Sequence, residues 1–102
     1  MMKIQLSDRA LAFLKAEQAY LAKFDKRTAL AVVQQLRRSV KLIGEHPHIG
    51  AAVDGFEGVR RFVSAPYHVD YIESDGILIV VTIRHGRQAP RQVDTNYPPF
   101  GI

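Results

Sequence analysis

VRRFVSAPYHVDYIESDGILIVVTIRHGRQ, residues 59–88, carries the strongest hairpin signal in the chain. Asp75-Gly76 suits the two central positions of a type I′ turn, which require φ > 0. That turn sets Ser74 opposite Ile77, and it predicts Ile72, Val69 and Tyr67 opposite Ile79, Thr82 and Arg84. Ile77 to Ile83 is a run of Ile, Leu, Val and Thr, the composition of a strand buried on both faces. Before the turn, Tyr67, Val69 and Tyr71 alternate with His68, Asp70 and Ile72, the period of a strand with two unlike faces. Val59 to Val63 reads as a further strand, set off by Ala65-Pro66. The expected unit is an antiparallel meander of three strands. Its apolar end runs into Arg84-His85-Gly86-Arg87, and Arg60 and Arg61 lie on a neighbouring strand. Guanidinium and imidazole groups are therefore expected to gather at one edge of a rigid sheet.

Outward from this unit, Lys3 to Leu6 reads as a short first strand, with Ile4 and Leu6 on one side. Ser7 offers an N-cap hydroxyl, and Asp8 adds a favourable charge to the first turn. A helix then runs to about Leu21, with Ala10, Phe13, Leu14 and Leu21 along one stripe. Asp25 caps a second helix, Lys26 to Glu45. There Ala29, Val32, Val33, Leu36, Val40 and Ile43 make a one-sided apolar face. Gly44 and His46-Pro47 end it. The two helices form a hairpin whose apolar faces the sheet must cover. Residues 48–58 read as a loop, with no clean period and three glycines in eleven residues. The predicted fold is α+β, in the order β-α-α-β-β-β, with the helical hairpin packed on a small antiparallel sheet. One domain is expected over residues 1–88, followed by an irregular Pro-containing tail over 89–102.

A chain of 102 residues supports one core. No segment is long and apolar enough for a bilayer span, and Gln5, Ser7, Asp8 and Arg9 interrupt any signal-peptide-like run. Cysteine is absent, which excludes disulfides and zinc–thiolate sites; a cytoplasmic protein is expected. The formal charge of +4 resides in the first half. Residues 1–50 carry nine Lys or Arg against four acids, and residues 51–102 carry five against six. All five cations of the second half are Arg, the better residue for bidentate anion recognition and carboxylate pairing.

Neither a Walker loop nor a dinucleotide fingerprint occurs, and HExxH and GxSxG are absent too. No cofactor or metal is implied. His46 and His48 flank Pro47, but no third ligand follows at matched spacing, so they read as loop residues. Tyr67 and Tyr71 read as half-buried sheet residues. His68 and Asp70 share a face and are candidates to pair. Arg61, Arg84, His85 and Arg87 form a candidate anion site. Metal-free RNA cleavage requires a base, an acid and a cation for the phosphorane. His85 suits either proton-transfer role, and Glu57 or Asp70 is the available carboxylate. The same group also reads as the charged rim of an interface, and that reading ranks ahead of catalysis.

Taken in order, His46-Pro47, Ile49-Gly50, Gly58-Val59-Arg60-Arg61, Pro66-Tyr67, Tyr71 and Ile83-Arg84-His85-Gly86-Arg87 carry a resemblance to the RelE/ParE superfamily. These are toxins of type II toxin–antitoxin modules. The resemblance spans Ile4 to about Gln88 and is nearest to the ParE-like branch. It implies a toxin that inhibits DNA gyrase and is neutralised by a cognate antitoxin, through an acidic amphipathic segment. Arg60, Arg61, Arg84, His85 and Arg87 are the residues expected to meet target or antitoxin. The alternative it implies is a RelE-like, ribosome-dependent mRNA endoribonuclease, metal-independent and using Arg61, Arg84 and His85. A third is a non-toxic antitoxin-binding module of the same fold. Two departures weigh against the nuclease: no lysine follows Lys41, and no Tyr follows His85 before Tyr97.

Overall fold

The computed structural model describes residues 2–86. Arg87 and the tail over 89–102 lie outside the described residues, as does the expected end of the domain at residue 88. Five strands and two helices follow in the order β1 (Lys3–Leu6), α1 (Asp8–Ala22), α2 (Lys26–Glu45), β2 (Ala51–Val53), β3 (Phe56–Ser64), β4 (Tyr67–Ser74) and β5 (Ile77–His85). They build one five-stranded sheet in the order β1-β5-β4-β3-β2.

Both helix starts follow from their caps. The Ser7 hydroxyl accepts from the Ala10 amide at 3.0 Å. Asp25 accepts from the Arg27 amide at 3.0 Å and from the Thr28 hydroxyl at 2.9 Å. Each cap satisfies donors that the first helical turn leaves without an intrahelical partner. The hairpin turn adopts positive φ at Asp75 (51°) and Gly76 (78°), as a type I′ turn requires.

Three expectations need correction. The stretch over 48–58 is not all loop, because β2 pairs antiparallel with β3 through Ala51↔Arg61 and Ala52↔Arg60. Two exposed alanines give no alternating pattern, and the strand forms because β3 offers an open ladder. The sheet is mixed, since β1 runs parallel to β5 from Lys3↔Ile77 to Leu6↔Val80. The hairpin register shifts between Asp70 and Tyr71. Tyr71 faces Val80 and Asp70 faces Thr82, so Val69 meets Ile83 and Tyr67 meets His85. Val81 is the extra residue of a β-bulge, which disrupts the ladder and displaces every later partner by one.

The helices cover one face of the sheet. Ala10 of α1 and Leu36 and Ile43 of α2 pack with Tyr67, Val69, Tyr71, Leu78, Val80 and Ile83 in a buried core. α2 is fastened to β3 by Gln35, whose amide donates to the Ser64 carbonyl (3.1 Å), the Ser64 hydroxyl (2.9 Å) and the Ala65 carbonyl (2.8 Å). By strand alternation, Arg61, His68, Asp70, Thr82 and Arg84 take the opposite face.

Candidate functional site

Cross-strand pairing places Arg61 of β3 opposite Asp70 of β4, and Asp70 opposite Thr82 of β5. The Arg61 guanidinium grips the Asp70 carboxylate with both prongs, Nε to Oδ1 at 2.8 Å and Nη2 to Oδ2 at 3.1 Å. Arg84 Nη2 stands 3.7 Å from the same Oδ2, and the Thr82 hydroxyl lies at 3.5 Å. Asp70 is 1% exposed, so the carboxylate is a buried counter-ion between two arginines. Bidentate pairing of this kind is the strong form of a charge-assisted hydrogen bond.

His68 pairs across the ladder with Arg84. Burial first, then Arg61 and Arg84, lowers its pKa; Asp70 opposes them. Its Nδ1 is buried without a hydrogen-bond partner among the described residues. The imidazole is therefore held neutral, and it does not pair with Asp70. Burial, and then Arg61, lowers the Arg84 pKa as well, but a guanidinium stays charged across the physiological range.

His85 is on the other face. Its Nε2 lies 2.9 Å from Glu17 Oε2 of α1, and the Tyr67 hydroxyl donates to that same oxygen at 2.6 Å. The His85 ring sits 4.9 Å from the Tyr67 ring, and Phe13 meets both edge-on at 6.2 and 6.0 Å. Burial, followed by the Glu17 hydrogen bond, raises the Tyr67 pKa far above its ordinary value. The phenol is therefore a fixed donor rather than a proton-transfer group at neutral pH.

Arg60 belongs to a third place. Its Nη1 donates to the Gly50 carbonyl at 2.7 Å, while the Tyr71 hydroxyl donates to the Pro47 carbonyl at 2.7 Å and accepts from the Gly50 amide at 2.9 Å. Together they pin the turn after α2. The Pro47 and Gly50 positions of the sequence pattern therefore have a structural role. A Cβ at Gly50 would sit 2.8 Å from the Tyr71 hydroxyl and 2.9 Å from the Arg61 carbonyl.

Of the five expected contact residues, Arg61 and Arg84 converge on Asp70. Arg60 and His85 go elsewhere, and Arg87 lies outside the described residues. Neighbours on a strand point to opposite faces, so Arg84 and His85 cannot both join Arg61. Glu57 is exposed and takes no part in the cluster around Asp70. Sequence reading missed Glu17, although it falls on the same helical stripe as Ala10, Phe13, Leu14 and Leu21. A carboxylate on a core-facing stripe is a signal for a buried partner. His46 and His48 are exposed, and the described residues contain no cluster of three metal-binding side chains. No helix among them is long and apolar enough to cross a membrane.

Comparison with known proteins bears on the whole domain. The sequence profile of the family described as "ParE toxin of type II toxin-antitoxin system, parDE" matches residues 4–90. A solved chain from the chromosomal ParDE toxin–antitoxin system of P. aeruginosa superposes with a TM-score of 0.70 at 22% identity. The match covers 83% of this chain and 96% of that one. No curated protein matches the sequence significantly.

Proposed function

The chain belongs to the ParE toxin family of type II toxin–antitoxin systems, and from that premise we propose that it arrests growth by binding and inhibiting DNA gyrase. We further propose that a cognate antitoxin, presenting an acidic amphipathic segment, neutralises it. One observation carries the choice of a protein-binding toxin over a nuclease. The trio required for RNA cleavage is divided between two faces of the sheet, with Asp70 already occupying the Arg61 fork and His85 engaged with Glu17. A base and an acid must flank one scissile phosphate, and this division opposes that arrangement.

Antitoxin binding has support of its own. Leu6, Leu14, Leu36, Val40 and Ile83 line an apolar depression of about 270 Å³ that Arg37 also borders. It suits an apolar anchor of a partner segment, with a carboxylate of that segment meeting Arg37. The decisive experiment is DNA supercoiling by purified gyrase with added toxin, with and without the acidic product of the neighbouring reading frame. Inhibition reversed by that product is expected. Intact supercoiling at a large toxin excess overturns the gyrase reading, and codon-positioned cuts in a toeprinting assay would move the activity to the ribosome.

A further inference from the structure

The closed end of the helical hairpin carries a feature that neither the fold nor the Asp70 cluster uses. Phe24, in the link between α1 and α2, is 74% exposed, and Tyr20, in the last turns of α1, is 56% exposed. Their rings meet edge to face at 5.3 Å, so the pair forms one aromatic knob on the surface. Leu30, on the second turn of α2, is also an exposed large hydrophobic residue. A polar residue would complete the Lys23–Asp25 link equally well, because the capping is done by the Asp25 carboxylate. Lys23, Lys26 and Arg27 are all exposed around the knob. Asp25 is the one acid in the link, and its carboxylate is turned onto the α2 N-terminus. Tyr, Phe and Arg are enriched at protein interfaces, and the lysines add a positive charge that favours an acidic partner.

We propose that this tip, centred on Tyr20 and Phe24 with Lys23, Lys26 and Arg27 around them, is a second docking surface of the toxin. It fits an acidic protein surface bearing an apolar socket, supplied by the target rather than by the antitoxin. The proposal rests on the toxin reading given above. A protein fits better than a nucleic acid for two reasons. The rings meet edge to face and so offer no parallel platform for successive bases, and the cations crowd one turn instead of tracking a backbone groove. The antitoxin is the less suited occupant, because the apolar depression proposed for it, lined by Leu6, Leu14 and Ile83, includes no residue of the tip.

The test compares the full chain with two variants, Tyr20→Ser with Phe24→Ser, and Lys23→Glu with Lys26→Glu. Thermal unfolding shows that each is folded, as exposed positions allow. Growth arrest on expression, gyrase supercoiling and affinity for the purified antitoxin are then measured. Both variants are expected to weaken arrest and gyrase inhibition about tenfold, equivalent to losing one good anchor, with antitoxin affinity within about twofold of the wild type. Unchanged arrest by a folded variant overturns the proposal, and so does a matching loss of antitoxin affinity. Loss of binding to a labelled single-stranded oligonucleotide that the wild type holds assigns the tip to nucleic acid and overturns it too. If the wild type arrests growth but spares gyrase, the gyrase reading fails and the arrest assay alone judges the tip. A wild type that does neither defeats both.

Discussion

Ser7 donates its hydroxyl hydrogen to the Val81 carbonyl at 2.6 Å, at the residue that β5 carries in excess of β4. The Ser7 amide also donates to the Val80 carbonyl at 2.9 Å. The start of α1 is thus tied to the bulge that decides the faces of everything after it. In an unbulged hairpin Arg84 would oppose Tyr67 and turn toward the helices. With the bulge, Arg84 opposes His68 and reaches Asp70, while His85 turns toward Glu17. One extra residue exchanges the surroundings of a guanidinium and an imidazole.

Ser7→Ala should lower stability by about 1–2 kcal/mol, since it removes an N-cap and a long-range hydrogen bond together. Ser7→Thr should recover most of the loss. Urea unfolding followed by far-UV circular dichroism reads the difference; equal midpoints for Ala and wild type would mean that the cap and the Val81 bond contribute nothing.

Asp70→Ala leaves two guanidinium groups without the carboxylate between them. Breaking a buried pair costs about 3–5 kcal/mol, and Arg61 retains some exposure, so the low end is expected. The same unfolding measurement applies, and a loss under about 1 kcal/mol would contradict a buried counter-ion role.

Acid sensitivity should follow His68. Its pKa is lowered in the folded chain, so below the ordinary histidine value the unfolded chain takes up a proton that the folded chain refuses. Stability is therefore full above about pH 6.5 and declines as pH falls through that value toward the lowered pKa. His68→Gln should flatten this part of the profile in thermal unfolding scans from neutral to mildly acidic pH. A variant as acid-sensitive as the wild type would exclude His68 as the source.

Gly50→Ala should destabilise by about 1–3 kcal/mol, the usual range for an overpacked site. The new methyl would press on the Tyr71 hydroxyl and the Arg61 carbonyl, and both are held by the sheet. Combining it with Tyr71→Phe should give less than the sum of the single losses, because the two positions share one contact.

Leu36→Ala should cost about 2–5 kcal/mol through transfer and cavity terms, because Leu36 is among the largest fully buried side chains. Arg84→Ala and His85→Ala are best tested separately. The first acts on the Asp70 cluster and the second on the Glu17–Tyr67 contact, so a joint variant confounds two surfaces. Growth arrest by each folded single variant shows which surface meets the target.

Much of the fold was legible because local patterns and long-range packing agreed. The stripe from Ala29 to Ile43, the Asp25 cap and the His46-Pro47 stop place α2 as Lys26–Glu45, and Asp75-Gly76 marks the hairpin. β2 was hidden because Ala51 and Ala52 carry no pattern, although Asp54-Gly55 after it repeats the dipeptide found at 75–76. The Asp70 cluster was half legible. Arg61 and Arg84 are visible as an Arg-only group, but their counter-ion stands across two strand pairings.

The amino-acid order alone determined the helices, the meander, the family resemblance and the position of the basic exit, because periodicity, caps and turn chemistry act over a few residues. Only the tertiary structure decided which side chains share a face. A bulge at Val81 depends on how β5 meets β4, Ser7 and the core at once, and a register shift of one residue reverses every side chain beyond it.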